Sequence, residues 1–141
     1  MTLVEDIMTR HVVRVNADDP VKVVRHKLTQ GGFHHLPVME GQELIGIVSD
    51  RDVLGAVGTY IDAPSEQRQG MHAFAQRASQ IMTPQPHTVL PNATVQAAGE
   101  MLLALDVSAL PVVDTHGSLV GIVTWRDIMS FWVDGPPDQA G

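Results

Sequence analysis

The chain contains no cysteine, few aromatic residues and few basic residues, and each shortage excludes a kind of site, core or partner. Without cysteine, its 141 residues form no disulfide, no thiolate nucleophile and no zinc–thiolate site. Three Phe, two Trp and one Tyr leave a core that must be mainly aliphatic. Nine Lys and Arg against sixteen Asp and Glu give a net charge of −7. This balance argues against a nucleic-acid partner, because surfaces that bind nucleic acid cluster basic residues.

Long apolar runs are also missing. No stretch approaches the roughly 20 apolar residues of a membrane helix. The N-terminus, MTLVEDIMTR, has acidic residues and lacks the apolar region of a signal peptide. The sequence therefore predicts a soluble, cytoplasmic protein without a membrane partner.

The sequence is a tandem repeat of one pattern. A shift of 74 residues aligns Ile7 with Ile81 and Pro37 with Pro111, and a one-residue insertion then changes the shift to 75. Three pairs of segments match in order, namely 6–24 with 80–98, 33–40 with 107–114, and 43–54 with 118–129. A match of nearly every segment with a single insertion indicates a duplication.

Each copy has the pattern of a β-α-β-β-α unit in an α/β (α+β) protein. The segments VVRV and HTVL have residues typical of β-strands. Each is followed by a predicted helix, whose start is marked by acidic residues and Pro in the first copy and by Asn92 or Thr94 in the second. A turn then joins two short strands as a hairpin. A repeat of about 55 residues buries its apolar face poorly alone, so we expect the two to pack through their sheets. The predicted organisation is repeat 1 at 1–60, a linker at 61–74, repeat 2 at 75–133 and a flexible tail at 134–141.

The repeated strand-to-helix turn carries the candidate chemistry. It is Ser49-Asp50-Arg51-Asp52 in the first copy and Thr124-Trp125-Arg126-Asp127 in the second. An ionised carboxylate accepts both hydroxyls of a ribose, and the helix N-terminus favours its charged form. The hydroxyl residue, the N-terminal N–H groups and the arginine suit a phosphate.

Each copy thus has an IMT segment, a hairpin whose first strand is apolar-Pro-Val, and the repeated turn. This combination resembles the CBS domain, named from cystathionine β-synthase. Two in tandem resemble a Bateman module over residues 3–133, which leaves no additional catalytic domain. The resemblance implies two repeats stacked about a pseudo-two-fold, two clefts for adenosine-containing ligands such as AMP, ADP, ATP or S-adenosylmethionine, and dimerisation. The nucleotide is a regulatory ligand there, and no catalytic cofactor is implied.

The resemblance also implies which residues share each cleft. Each turn is expected to face the first strand and the pre-proline residues of the other repeat. The first cleft is predicted to contain Ser49, Arg51, Asp52, Pro86, His87, Ser108 and Ala109. The second is predicted to contain Thr124, Arg126, Asp127, Val12, Val13, His34 and His35, whose histidines would favour polyphosphate at mildly acidic pH.

Plainer interpretations of the same residues stay open. Ser-x-x-Asp is also the pattern of a capping box that only stabilises a helix N-terminus, and capping is compatible with ligand binding. Seven histidines invite a metal site, but none has the spacing of a metal-binding motif, so no metal is predicted. His34 and His35 are consecutive on a predicted strand and point to opposite faces.

The segments GEMLLALDV and IMSFWV carry more apolar residues than one buried helix face needs, which predicts a homodimer interface. The alternative is that Met101 and Leu103 only cover neighbouring helices of the same chain. Trp125 could equally stack on a ligand or pack at a subunit contact. Three functions are compatible with this fold: a nucleotide sensor that signals to an unidentified protein by changing conformation, an enzyme, and a ligand-free dimerisation module. We find no catalytic constellation, so the sequence favours the sensor and not an enzyme.

Overall fold

The computed structural model describes residues 1–61 and 68–136. Of the predicted linker, residues 62–67 lie outside the described part, as do residues 137–141 of the predicted tail. The chain forms two compact units, which we call unit I (Val13–Pro86) and unit II (Met1–Val12 with His87–Gly141).

Unit I is a four-stranded sheet with helices. In order across the sheet the strands are β1 (Val15–Asn16), β2 (His35–Glu40), β3 (Glu43–Ser49) and β4 (Thr83–Pro84). Strand β1 is parallel to β2, and the remaining pairs are antiparallel. The parallel pair requires a crossover, which α2 (Val21–Gly31) provides before it ends at Gly32 with a left-handed φ of 65°. The other helices are α3 (Asp50–Val57), a 3₁₀ turn (Gly58–Tyr60), α4 (Arg68–Ala75) and α5 (Ala78–Ile81).

Unit II repeats this plan with a reduced sheet. Its elements are α1 (Val4–Ile7), α6 (Val95–Leu105), β5 (Ala109–Val113), β6 (Leu119–Thr124) and α7 (Trp125–Asp134). The predicted strand HTVL contributes a single parallel bridge, from Val89 to Val112. Pro91 follows two residues later and lacks the N–H that would extend the ladder. Thr94, one of the two predicted caps, accepts a hydrogen bond from the Ala97 N–H and begins α6.

The β-α-β-β-α pattern is therefore confirmed in both copies. The two cores are aliphatic, as the shortage of aromatic residues predicted, and no polar residue is buried in the described part of the chain. The largest fully buried side chains include Leu36, Val38 and Val48 in unit I and Leu102, Leu110 and Ile128 in unit II.

The IMT segments are exchanged between the copies. Thr9 of the first copy forms two hydrogen bonds with Ile122 of the second, of 2.9 and 3.0 Å. The corresponding segment of the second copy forms β4 at the edge of unit I, next to Gly46 and Ile47 of β3. Each compact unit therefore contains the IMT segment of the other repeat.

A glycine receives each exchanged segment. A Cβ on Gly121 would lie 2.5 Å from the Met8 Sδ and 3.0 Å from the Thr9 carbonyl oxygen. A Cβ on Gly46 would overlap the Met82 side chain and lie 2.9 Å from the Thr83 carbonyl oxygen. Each Gly-apolar-Val strand therefore has glycine where another chain segment crosses closely.

The predicted linker contains helix α4, which packs in unit I. Ala73 of this helix is buried in the unit I core, and Phe74 packs against it. Tyr60 lies close enough to Gly70 that a Cβ there would contact the ring at 3.5 Å. In the part of the chain that the structure describes, no helix is long and apolar enough to cross a membrane.

Candidate functional site

The first repeated turn is a helix N-terminus closed by two reciprocal hydrogen bonds. Ser49 is the N-cap of α3, and its Oγ accepts from the Asp52 N–H at 3.1 Å. The Asp52 Oδ2 accepts from the Ser49 N–H at 2.8 Å. The capping-box interpretation is therefore correct for the local structure.

The second turn has the same bonds and one more. The Thr124 N–H donates to the Asp127 Oδ2 at 2.8 Å, and the Asp127 N–H donates to Thr124 Oγ1 at 3.4 Å. In addition, the Thr124 hydroxyl donates to the Asp127 Oδ2 at 3.1 Å. The Thr124 hydroxyl proton is therefore occupied within the turn, whereas the Ser49 hydroxyl acts only as an acceptor in the bonds shown.

This geometry leaves hydrogen-bond acceptor capacity on both carboxylates. An ionised carboxylate offers about four acceptor positions, and the bonds just described all end on Oδ2. Both aspartates are half-buried. The turn thus orients a carboxylate at a helix N-terminus without using all of its capacity.

The pre-proline residues lie beside the turn of their own repeat. His35 pairs in register with Ser49, and Ala109 pairs with Thr124. The His34 carbonyl accepts from the Asp50 N–H at 3.0 Å, and the Ser108 carbonyl accepts from the Trp125 N–H at 3.2 Å. Each unit therefore brings together a turn and the start of its neighbouring strand.

The remaining predicted residues lie at the boundaries between the units. Val12 and His87 belong to unit II, and Val13 and Pro86 belong to unit I, so the chain passes between units at residues 12–13 and 86–87. Arg51 and Arg126 are exposed in the first turns of α3 and α7. The predicted grouping of each turn with the strand of the other repeat involves both units and stays a prediction.

Asp50 is a charged residue of the first turn that is not among the predicted site residues. Its Oδ2 lies 2.8 Å from the Nδ1 of His34, and both side chains are exposed. The hydrogen bond from His34 is the main reason that the pKa of Asp50 lies below its usual value. The signal in the sequence is an acid in the variable position of the motif, where the second copy has Trp125.

His35 and Asp127 have shifted pKa values for the same physical reason. Burial lowers the pKa of His35, and nearby Asp50 partly offsets that effect. Burial also raises the pKa of Asp127, and the hydrogen bonds from Thr124 partly offset it. The two turns are therefore electrostatically different: the first has a His34–Asp50 pair, and the second has a half-buried carboxylate beside an indole that packs against the core.

The histidines form no metal site in the described part of the chain. No group of three His, Cys, Asp or Glu side chains within residues 1–61 and 68–136 is placed to hold a metal ion. The prediction that both histidines lie on the strand is wrong for His34, which is exposed just before β2, whereas His35 is the first residue of β2 and is half-buried.

Comparison with known families identifies the repeated unit. The CBS domain model matches residues 4–59 and again 78–134. The chain belongs to the CBS domain family. Each of the two matches contains one of the turns described above.

Relatives within the family include both enzymes and short proteins. The chain is 33% identical over 128 residues to inosine-5'-monophosphate dehydrogenase of Korarchaeum cryptofilum, covering 88% of this chain and 23% of that enzyme. It is 29% identical over 133 residues to a CBS domain-containing protein of Dictyostelium discoideum, covering 93% of this chain and 91% of that protein. The chain thus spans less than a quarter of the enzyme but nearly all of the short protein.

Solved structures of CBS pairs share the fold. CBSX2 from Arabidopsis thaliana is 26% identical, and its complex with AMP has a TM-score of 0.79 over 95% of this chain and 98% of that chain. The CBS domain pair of protein MJ0100, in complex with 5'-methylthioadenosine and S-adenosyl-L-methionine, is 24% identical, with a TM-score of 0.79 over 95% of this chain and 98% of that chain. The predicted tandem CBS fold is therefore confirmed.

Proposed function

We propose that the protein is a regulatory module that binds an adenosine-containing ligand, with AMP as the first candidate. The ribose hydroxyls bind the carboxylates of Asp52 and Asp127. The hydroxyl residues, the helix N-terminal N–H groups and the arginines lie toward the phosphate. The protein is not an enzyme, and the nucleotide acts as a regulatory ligand.

The observation that carries this proposal is the duplicated turn. In both copies a carboxylate is fixed by bonds to one oxygen at a helix N-terminus and retains acceptor capacity. A capping role alone requires no duplication of the arginine, yet Arg51 and Arg126 stand at the same place in the two motifs. A site for a diol next to an anion uses all three residue types.

The comparison with CBSX2 supports AMP in particular. That protein has been solved with AMP, is 26% identical and matches this chain over almost the full length of both. The family match extends over both repeats, so both turns belong to the proposal.

The ligand also contacts the first strand and the pre-proline residues of the opposite repeat, in the two groups predicted from the sequence. Four of those residues flank the points where the chain passes between the units, which are Val12, Val13, Pro86 and His87. A ligand held there prefers one arrangement of the units, and that preference is the requirement for signalling by conformational change. The module signals to a protein partner in the cytoplasm and associates with a second copy of itself.

Isothermal titration calorimetry with AMP, ADP, ATP and S-adenosylmethionine tests the proposal. We expect AMP to bind, and Asp52→Asn and Asp127→Asn each to weaken one site. Asn preserves the shape of the side chain while removing the charge. Glu43→Gln, an exposed residue at the start of β3, is the matched control and should bind as the wild type does.

The competing function is a ligand-free module for assembly. If no adenosine ligand binds to the folded protein, the turns serve only as helix caps. If a bound nucleotide is converted to product, the protein is an enzyme and the regulatory proposal is wrong.

A further inference from the structure

The two repeated turns share a backbone hydrogen bond and differ in the side chain that follows the hydroxyl residue. In unit I the Asp50 N–H donates to the His34 carbonyl. In unit II the Trp125 N–H donates to the Ser108 carbonyl in the same way. Both residues are the first of their helix. At this position the first turn therefore has an exposed carboxylate, whereas the second has an indole that packs against the unit II core.

The Asp50 carboxylate is held in its charged form. Its Oδ2 lies 2.8 Å from the Nδ1 of His34, and this hydrogen bond is the main reason that the pKa of Asp50 lies below its usual value. A hydrogen bond from the backbone of Arg51 lowers the pKa of Asp50 further. Asp50 therefore places a negative charge beside the N-terminus of α3 at neutral pH.

The charge of the two turns differs accordingly. Residues 49–52 contain two carboxylates and one arginine, whereas residues 124–127 contain one carboxylate and one arginine. His35 is the first residue of β2, and burial lowers its pKa, so it adds no positive charge at neutral pH. With its histidines neutral, the first turn is negative, and the second turn has no net charge.

This difference affects a ligand that carries a phosphate. A phosphate at the N-terminus of α3 would lie in the same helical turn as Asp50, within about 10 Å, which is about one Debye length at physiological salt. Like charges at this separation repel each other without full screening. The N–H groups of the turn and Arg51 attract a phosphate, and Asp50 offsets that attraction. In the second turn Trp125 adds no charge, so the attraction of Arg126 is not offset in this way.

We infer that Asp50 is a specificity-determining residue that makes the first turn prefer adenosine-containing ligands without a phosphate. The inference rests on the ribose sites of the proposed function and adds which ligand each turn favours. At the first turn, Asp52 binds the ribose of a ligand whose 5' end is neutral or cationic. At the second turn, Asp127 binds the ribose of a ligand with a 5'-phosphate, so AMP binds there more tightly than at the first turn.

Calorimetry with AMP and adenosine tests the first turn in an Asp127→Asn parent, in which the second ribose site is weakened. Adding Asp50→Asn keeps the shape of the side chain and removes its charge. We expect AMP to bind about tenfold more tightly after this change. Adenosine has no phosphate and should bind unchanged. The His34–Asp50 pair is exposed, and exposed pairs contribute little to stability, so the variant should fold as its parent does.

Glu43→Gln in the same parent is the matched control. It changes the net charge by the same amount, and Glu43 lies at the opposite end of β3 from Ser49, about 20 Å along the strand. Both ligands should bind to this control as they bind to the parent. The effect of Asp50→Asn on AMP should also become smaller as the salt concentration is raised, because salt screens the repulsion.

The reverse exchange tests the second turn in an Asp52→Asn parent. Trp125→Asp and Trp125→Asn both lose the packing of the indole against the core, and only the first adds a charge. We expect Trp125→Asp to bind AMP about tenfold more weakly than Trp125→Asn does. The two variants should bind adenosine equally. Because they are compared with each other, the effect of the lost packing cancels.

The two ligands distinguish the outcomes. Equal changes in AMP and adenosine affinity would mean that Asp50 acts on the structure of the turn and not on the phosphate, and the inference would be wrong. AMP affinity that does not respond to Asp50→Asn overturns it as well. If neither ligand binds either turn of the folded protein, the proposed function fails, and this inference fails with it. Binding that depends on Asp52 but not on Asp50 refutes only the inference and leaves the proposed function intact.

Discussion

Replacing Gly121 with alanine tests the exchange of segments between the repeats. Gly121 lies in β6, and the Met8 side chain and the Thr9 carbonyl occupy the space that a Cβ would need. Met8 is buried in the unit II core, so its side chain has little room to move aside. The Thr9 carbonyl is held by the Ile122 N–H at 3.0 Å, so shifting it lengthens a hydrogen bond.

The expected cost follows from these contacts. Inserting a methyl group into a packed site costs about 1–3 kcal/mol, and weakening a backbone hydrogen bond adds up to about 1 kcal/mol. Alanine in a strand returns about 0.5–1 kcal/mol relative to glycine because the unfolded chain is less flexible. The net prediction is a loss of about 1–3 kcal/mol in the free energy of unfolding.

Urea unfolding measures this loss, and both tryptophans, Trp125 and Trp132, lie in unit II. Their fluorescence should therefore show the loss of stability in that unit. The control is Gly99→Ala, a site within α6 of the same unit where the nearest atom to an added Cβ is the Ile128 Cγ2 at 3.9 Å, and this variant should be stabilised by about 0.5–1 kcal/mol. A smaller cost of Gly121→Ala in a Met8→Ala background would demonstrate the contact directly. If Gly121→Ala is as stable as Gly99→Ala, the N-terminal segment does not pack on β6 and the described exchange is wrong.

Three further predictions concern capping and pH. Thr94→Ala removes the cap of α6 and should cost about 1 kcal/mol in urea unfolding. Thr29→Ala, at an exposed position of α2, should cost nothing, and equal effects would refute the capping role. Burial lowers the pKa of His35 below 6.5, and the charged or titratable groups near it are His34, Asp50 and Asp52. Because the folded state therefore favours neutral His35, the free energy of unfolding should fall as the pH drops below 6.5 toward that lowered pKa. His35→Gln should flatten this part of the pH profile, and an unchanged profile would contradict the assignment. Burial raises the pKa of Asp127 above 3.8, so its carboxylate should be protonated at a higher pH than that of an ordinary aspartate. Acidification should therefore weaken AMP binding at this site at a correspondingly higher pH. Calorimetry should show no such pH dependence for this site in Asp127→Asn.

The local structure was predictable wherever neighbouring residues determine it. The spacing from Ser49 to Asp52 predicted a helix start, and the structure has the capping box there. The glycine at the turn between β2 and β3, Gly41, has a φ of 62°, as a tight hairpin turn favours.

The exchange of segments was not predictable from the repeats. Met8 and Met82 occupy the same motif position, and so do the glycines that receive them, Gly121 and Gly46, so the local pattern does not indicate which pairing forms. Helix α4 was also missed, because Gly70 lowers its helix propensity and its stability comes from packing of Ala73 in the core.

Within the candidate site, the turns were predictable and their electrostatic difference was not. The motif identified Asp52 and Asp127 as equivalent, whereas burial and an additional bond from Thr124 make Asp127 different. The contact between His34 and Asp50 joins residues sixteen positions apart, which only the pairing of β2 with β3 brings together.

The most direct test of the central claim compares AMP with 2'-deoxy-AMP, which lacks one of the two ribose hydroxyls. A hydrogen bond to a charged group is worth about 1.5–3 kcal/mol, so calorimetry on the wild type should show AMP binding at least about tenfold more tightly. In Asp52→Asn with Asp127→Asn, the two nucleotides should bind with nearly equal, weak affinity. A wild type that binds both nucleotides equally would contradict the claim that the repeated turns hold a ribose.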